Sequence, residues 1–238
     1  FGVRTEAPVQ LDLLDWLAWS FMEAGWSVKH LHRQIVLSST YQQAADALDQ
    51  DGAVDPENQL LHRASRRRLD FEALRDTLLV VSGRLNGSMG GLPVDLWAAP
   101  FSSRRSVYGF IDRQNLPGVF RTFDYPNPDT SSAGRFATTV PQQALFLMNH
   151  PFVIEQARGL LSRPEVQAAS TDEERVAVLH QIVFERSPGH ADRELARAFL
   201  HPASSTKTST PTVERGTQPS PSLSRWEQYA QVLLLSNE

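Results

Sequence analysis

Apolar residues recur at helical spacing along most of the chain, and residues that start or stop helices stand between the apolar runs. The first run predicts a helix whose apolar face is formed by Leu13, Leu14, Leu17 and Phe21. Gly25 is expected to end this helix. Ser27 is placed to cap a second helix, and Ser39 with Gln42 forms a capping-box pattern that predicts a third. This part of the chain is therefore expected to be helical.

Two later stretches carry the clearest helix signals. Asp70 is expected to cap a helix that Gly83 ends. Thr139 is expected to cap another, which the sequence Asn149-His150-Pro151 ends. Further helices are predicted at 152–162, 172–185 and 190–200, and a last one follows Ser224, where Glu227 completes another capping-box pattern.

The middle of the chain is irregular. Residues 86–103 and 124–134 contain the Gly and Pro residues typical of loops, while Val107 to Ile111 alternates as a short strand would. Residues 202–222 are rich in Ser, Thr and Pro, which predicts a disordered linker or insertion. We therefore predict a mainly α, multi-helix globular domain with a loop-rich central segment and a small β element. Its parts are a helical domain at 1–201, the linker at 202–222 and a C-terminal helix at 223–238 that docks back on the domain.

Composition narrows the classes of function. Of the 238 residues 41% are hydrophobic, and no apolar run approaches the roughly 20 residues that span a bilayer, so no membrane span is expected. The net charge of −4 argues against binding to nucleic acid. The chain has no cysteine, which excludes disulfides, thiolate metal sites and covalently attached haem c within it. His30 and His32 stand two apart and cannot chelate from one helix face, so no metal site is predicted.

Several strings match one known family in order and spacing. They include Leu13-Leu14-Asp15-Trp16-Leu17-Ala18, Arg104-Arg105-Ser106-Val107-Tyr108-Gly109-Phe110 and the run from Thr138 to Val153. The chain resembles the C-terminal domain of unknown function of large exported planctomycete proteins, the PSD-type family, over residues 1 to about 160. The resemblance implies no activity, because that family has no agreed catalytic residues.

The resemblance does imply a setting for the domain. Proteins of this kind carry a cytochrome c-like domain nearer the N-terminus, so we expect haem c only elsewhere in the parent protein and no cofactor in this chain. The expected partners are the other domains of the parent protein and a polysaccharide, at an extracytoplasmic location such as the periplasm or the cell surface. The chain starts at Phe1 and stops after an apolar run, so we expect both ends to be cut from a longer protein and a signal peptide to be missing for that reason.

Candidate chemistry is concentrated between residues 104 and 135, where polar side chains crowd an irregular, aromatic-rich segment. The catalytic candidates are Tyr108, Arg113, Asp124 and Asp129. The binding candidates are Arg68, Arg75, Asp76, Arg105, Arg121, Arg135, Gln143 and Asn149. The arginines before the helix at 70 can form an anion clamp. The alternative is structural: Glu72 and Arg75 pair across one helical turn, while the three arginines are solvated or bind neighbouring carboxylates. The polar groups of the irregular segment then satisfy its backbone. The aromatic residues Trp16, Trp19, Phe21 and Trp26 are expected to pack in the core.

Two functions follow from these observations. The leading hypothesis is a non-haem binding or docking module of a large extracytoplasmic protein, linked to polysaccharide processing. The alternative is a hydrolase domain that uses carboxylates and arginines of the 104–135 segment. The hydrolase hypothesis predicts a pocket where Asp124, Arg113 and Tyr108 converge. If these side chains instead point outward or are fully used in backbone hydrogen bonds, that hypothesis loses its support.

Overall fold

The computed structural model describes residues 8–45, 54–65, 68–132, 134–202 and 223–236. The chain divides into two compact units, Phe1–Arg68 and Leu69–Glu238. The first unit contains α1 (Leu11–Glu23) and α2 (Val28–Val36). The second contains α3 (Phe71–Val81), α4 (Gly118–Thr122), α5 (Pro141–Asn149), α6 (Pro151–Leu161), α7 (Pro164–Gln167), α8 (Asp172–Phe184), α9 (His190–Leu200) and α10 (Arg225–Leu235), with a 3₁₀ turn at Ser106–Tyr108. The prediction of a mainly helical protein is confirmed.

In the first unit, a tight turn folds α1 back along α2. Gly25 and Trp26 take positive φ angles of 65° and 60°, and the Ser27 hydroxyl caps α2 by accepting from the His30 backbone at 3.3 Å. The two helices pack together, and the Gln34 amide of α2 donates to the Ser20 hydroxyl of α1 at 3.0 Å. The glycine stop and the serine cap were both predicted correctly.

The third helix predicted after Ser39 does not form. Residues 37–42 are turns instead, because the Ser38 hydroxyl donates to the Ile35 carbonyl at 2.7 Å and accepts from the Tyr41 backbone at 3.2 Å. A serine that bonds locally on both sides competes with a helix for the same backbone groups. The capping-box pattern is therefore present in the sequence, but the hydrogen bonds of the Ser38 hydroxyl hold this segment in turns.

The core of the second unit is built around α6. Val153, Ala157 and Leu160 on this helix have no exposed surface. Helix α10 packs along α6, and α3 and α5 also contact it. The predicted capping box starts α10: the Ser224 hydroxyl accepts from the Glu227 backbone at 3.2 Å, and the Glu227 carboxylate accepts from the Ser224 backbone at 2.6 Å.

The junction between α5 and α6 differs from the prediction at its start and agrees at its end. Helix α5 begins at Pro141 with Val140 in the N-cap position and no side-chain cap, so the predicted Thr139 cap is wrong. Proline is favoured at the first helical position because it has no N–H to satisfy there. The helix ends at Asn149 as predicted, and Nδ1 of His150 caps α6 by accepting from the Phe152 backbone at 3.2 Å.

A second, aromatic core lies under the loop-rich central segment. The Phe71 ring at the start of α3 is stacked on Phe123 at 4.5 Å and on Trp97 at 5.2 Å, measured between ring centroids. Phe120 and Phe146 meet the same ring edge to face, each at 5.8 Å. Irregular backbone is thereby attached to α3 and α5 through rings rather than through a sheet.

The predicted strand from Val107 to Ile111 is wrong. Residues Ser106–Tyr108 form a 3₁₀ turn, and β pairing in the described parts of the chain is limited to isolated bridges at Asn86–Arg104 and Val94–Gly109. The Asp76 carboxylate accepts from both the backbone and the hydroxyl of Ser106, each at 2.7 Å, and this turns the chain where a strand would have continued. The predicted linker at 202–222 lies outside the described residues except for Pro202.

Candidate functional site

Arg75 is the most deeply buried of the predicted binding residues, with 1% of its surface exposed. Its guanidinium donates to the Arg104 carbonyl at 2.9 Å, to the Ser106 hydroxyl at 3.3 Å and to the Ser102 carbonyl. It also lies 5.2 Å from the ring centroid of Phe152. Burial lowers the pKa of the Arg75 guanidinium, and the negative charge of Asp76 opposes that shift. Arg75 therefore attaches the central loop to α3 and does not present a clamp to a ligand.

Asp76, the next residue of α3, contributes to the same attachment. Besides its two bonds to Ser106, its carboxylate lies 3.6 Å from the Arg75 guanidinium and 3.8 Å from Nε of Arg105. Arg105 itself is more than half exposed. The hydrogen bonds of Arg75 and Asp76 are therefore made within the protein. Of these three candidates, Arg105 alone is mainly exposed to solvent.

Arg135 holds the start of α3 through a two-pronged ion pair. Its guanidinium donates to the two Glu72 oxygens at 2.6 and 2.7 Å, lies 3.7 Å from Asp70 and stands 5.1 Å from the ring centroid of Tyr125. Burial raises the pKa of Glu72, but the hydrogen bond and charge of Arg135 outweigh it, so that pKa lies below its usual value. The predicted pairing of Glu72 with Arg75 is wrong, since each has a partner distant in sequence.

Two of the four catalytic candidates bond to neighbouring loop segments, and the other two are exposed. The Asp124 carboxylate accepts from the Thr138 backbone at 2.8 Å and from its hydroxyl at 2.7 Å. The Tyr108 hydroxyl accepts from the Gly90 backbone at 3.0 Å. Arg113 and Asp129 are exposed. The structure therefore gives two of these side chains a role in loop geometry, which is the structural alternative stated above.

The remaining binding candidates have local roles or face solvent. The Gln143 side chain is buried, and its amide donates to the carbonyls of Thr122 at 2.8 Å and Thr138 at 3.2 Å. The Asn149 amide donates within its own helix, to the Leu145 carbonyl at 3.0 Å. Arg68 and Arg121 are exposed.

One cleft of the second unit collects arginines that the sequence did not single out. It has a volume of about 630 Å³ and lies between the end of α3, α6 and the start of α7. Its guanidinium groups are paired with carboxylates: Arg84 with Glu155 at 2.5 Å, Arg158 with Glu227 at 2.7 Å and Arg163 with Glu165 at 3.2 Å. These pairs neutralise the cleft, so it does not attract anions strongly. Across the described ranges, no cluster of three or more His, Asp or Glu side chains could hold a metal ion.

The feature that sequence reasoning missed is the apolar surface of the first unit. Trp16, Trp19 and Trp26, all expected in the core, are 50%, 56% and 67% exposed. Other large apolar side chains of the same unit are also exposed, among them Leu11, Leu13, Leu14, Met22, Val28, Val36, Leu37 and Tyr41. Only Phe21 of the predicted core aromatics is partly covered, with its ring 5.3 Å from that of Trp26. Exposed apolar surface of this extent marks interaction sites on soluble proteins.

Helix α1 is apolar around most of its circumference. Its Ser20 side faces α2, because Ser20 bonds to Gln34 there and is buried. Leu11, Trp19 and Met22 lie about 100° or more around the helix from Ser20. Asp12, Asp15 and Glu23 share one side of α1, but apolar residues occur on every side, which is more apolar surface than α2 alone can cover. No helix in the described parts of the chain is long and apolar enough to cross a membrane.

Comparison with known proteins gives one family. The family model described as PSD1, Protein of unknown function (DUF1553), matches residues 1–200. No curated protein and no solved structure matches the chain. The family match confirms the resemblance to the PSD-type family of unknown function, and it brings neither a ligand nor a reaction with it.

Proposed function

The chain belongs to the PSD1 family of proteins of unknown function (DUF1553), and we propose that it is a non-haem docking module of a larger extracytoplasmic protein. The observation that carries the proposal is the exposed apolar surface of α1, centred on Trp16, Trp19 and Met22. The proposed occupant of this surface is another domain of the same parent protein. We name the surface formed by Leu11, Trp16, Trp19 and Met22 the α1 face.

The α1 face has the composition of a protein interface. Tryptophan and methionine are enriched at the buried centres of interfaces, where tryptophan contributes most often to binding hot spots. A tryptophan that is half exposed presents on the order of 100 Å² of surface, so its burial is worth about 2 to 3 kcal/mol before the cost of association. Two such anchors, Trp16 and Trp19, contribute about 4 to 6 kcal/mol, which is comparable to the cost of association, so a stable complex must also bury other exposed apolar residues of the first unit.

The wider setting of the proposal comes from the sequence strings. A cytochrome c-like domain elsewhere in the parent protein would carry the haem, because this chain has no cysteine to attach one. The docking module would then place a partner, or a substrate such as a polysaccharide, near that redox centre. Exposed aromatic rings also stack on sugars, so a polysaccharide is the competing occupant of the α1 face. Asp12, Asp15 and Glu23 lie on the same side of α1 and offer carboxylates to sugar hydroxyls. The protein occupant is preferred because the exposed apolar surface extends beyond this face to Leu13 and Leu14.

The hydrolase alternative has no comparable observation behind it. It required Asp124, Arg113 and Tyr108 to converge on a pocket. Asp124 instead bonds to Thr138, and Tyr108 bonds to the Gly90 backbone. The docking module is therefore the function that the geometry supports best.

Calorimetry with the separately produced haem-containing part of the parent protein tests the proposal. The unmodified chain is expected to bind, and Trp19→Ala is expected to weaken the complex by at least about 2 kcal/mol, or roughly 30-fold in Kd. Leu145→Ala is the matched control, since Leu145 is 53% exposed on α5 of the other unit and should leave Kd unchanged.

Two results would contradict the proposal. One is the absence of binding by well-folded protein, and the other is equal binding by Trp19→Ala and the unmodified chain. A parallel screen against immobilised polysaccharides separates the competing occupant. Polysaccharide binding that Trp19→Ala abolishes, without binding of the protein partner, would reassign the α1 face to a glycan.

A further inference from the structure

A groove of about 380 Å³ lies between α8, α9 and α10 in the second unit. Its walls are mostly apolar and are formed by Phe184, Leu195, Ala196, Phe199, Val232 and Leu233. Leu195 and Val232 stand at its mouth, since they are 70% and 52% exposed, whereas Ala196 is buried. Concave, largely apolar spaces of about 300 Å³ and above are the usual form of a small-molecule site.

One buried polar pair lies among these apolar walls. Nε2 of His180 and the hydroxyl of Tyr229 are 3.1 Å apart, and the two residues are 3% and 6% exposed. Burial raises the pKa of Tyr229 to about 12, so its hydroxyl keeps its proton at neutral pH. A phenolic hydroxyl can donate one hydrogen bond and accept others. Whichever tautomer His180 adopts, Tyr229 therefore retains a hydrogen-bonding position for a ligand.

Among the described residues that line the groove, the charged side chains Arg186 and Asp192 are paired with each other. The Arg186 guanidinium donates to the Asp192 carboxylate at 2.8 Å, and Asp192 also accepts from the Gly189 backbone at 2.8 Å. The bond to Arg186 and the bond to Gly189 lower the pKa of Asp192, which keeps the carboxylate ionised and the pair neutral overall. A charged ligand would have to leave water for walls whose described charges, Arg186 and Asp192, are already paired, and this is costly. The groove therefore suits an uncharged ligand.

We propose that this groove binds a small, uncharged, two-ring aromatic molecule that carries one hydroxyl or carbonyl group. A cavity of about 150 Å³ holds benzene, so a space of about 380 Å³ suits two fused rings. Phe184, Phe199 and Tyr229 line the groove and supply aromatic contacts for such a molecule, and the Tyr229 hydroxyl offers the single hydrogen bond. None of these residues belongs to the α1 face, so this proposal stands independently of the docking function.

Binding of three probes to the full chain tests the proposal. 2-Naphthol carries both rings and the hydroxyl, naphthalene lacks the hydroxyl, and 2-naphthoate carries a charge. Affinities are measured by isothermal titration calorimetry, with circular dichroism confirming that each variant is folded. We expect 2-naphthol to bind more tightly than naphthalene and 2-naphthoate to bind weakest of the three.

Three variants assign the binding to the groove. Val232→Trp fills the mouth and should weaken both neutral probes at least tenfold, while Leu145→Trp makes the same kind of change on exposed α5 and should change neither. Tyr229→Phe should weaken 2-naphthol by roughly 2- to 12-fold, the range for one hydrogen bond, and leave naphthalene unchanged. Absence of binding by the unmodified chain, or equal binding by Val232→Trp, would overturn the proposal. Equal losses for both probes in Tyr229→Phe would overturn the role given to its hydroxyl.

Discussion

Replacing Arg75 by Met tests whether the buried guanidinium holds the central loop. The change keeps most of the side-chain volume but removes the donors to the Arg104 and Ser102 carbonyls and to the Ser106 hydroxyl. It also leaves Asp76 without the guanidinium that lies 3.6 Å away. Removing one partner of a buried charged pair costs about 3 to 5 kcal/mol, and each hydrogen bond from a charged donor contributes about 1.5 to 3 kcal/mol. These contributions overlap, so we expect a loss of about 4 kcal/mol in the free energy of unfolding.

A loss of that size is large against the roughly 5 to 15 kcal/mol that stabilises a typical domain. Urea unfolding followed by circular dichroism measures it, and with a slope of about 2 kcal/mol per M the midpoint should fall by about 2 M. Arg121→Met is the matched control, because Arg121 is exposed and its loss should change stability by no more than about 0.5 kcal/mol. Equal midpoints for the two variants would refute the role assigned to Arg75.

Three further predictions follow from single residues. Burial lowers the pKa of His150, so the unfolded chain takes up a proton at higher pH than the folded chain, and the free energy of unfolding should fall as the pH drops from about 7 to 5. His150→Asn, which can still cap α6, should make the free energy of unfolding depend less on pH in urea titrations. An unchanged pH dependence would contradict the assignment. A Cβ at Gly109 would stand 2.4 Å from Leu96, whereas one at Gly118 would meet nothing within 4 Å. Thermal unfolding should therefore show that Gly109→Ala lowers the free energy of unfolding by about 1 to 3 kcal/mol and that Gly118→Ala does not. Ser224→Ala removes the cap of α10 and should cost about 1 kcal/mol by urea unfolding, while no loss would show that packing alone sets that helix start.

The helices were predictable where a local rule was sufficient. The Ser27 and Ser224 caps, and the stops at Gly25, Gly83 and Asn149, depend on residues within a few positions of the helix end. The same local rules failed where a distant partner intervened. The turn at Ser106 is held by Asp76, which is 30 residues away in sequence. The alternating pattern that starts at Val107 cannot predict a contact with so distant a residue.

The candidate site was harder to predict for a related reason. Polar residues crowded in an irregular segment have the same composition whether they bind a ligand or satisfy their own backbone, and Asp124 and Gln143 do the latter. The tryptophans of α1 were expected in the core because a sequence shows apolarity but does not show what covers it. The available signal was that α1 has apolar residues on every side, which one packed partner helix cannot cover.

Hydrogen–deuterium exchange of the chain, with and without the haem-containing part of the parent protein, tests the central claim most directly. The docking function predicts slower exchange confined to α1, Leu11–Glu23, when the partner is added. It also predicts that Trp19→Ala removes this protection, while Leu145→Ala preserves it. Unchanged exchange along α1, or protection confined to the second unit, would contradict the assignment of the α1 face as the docking surface.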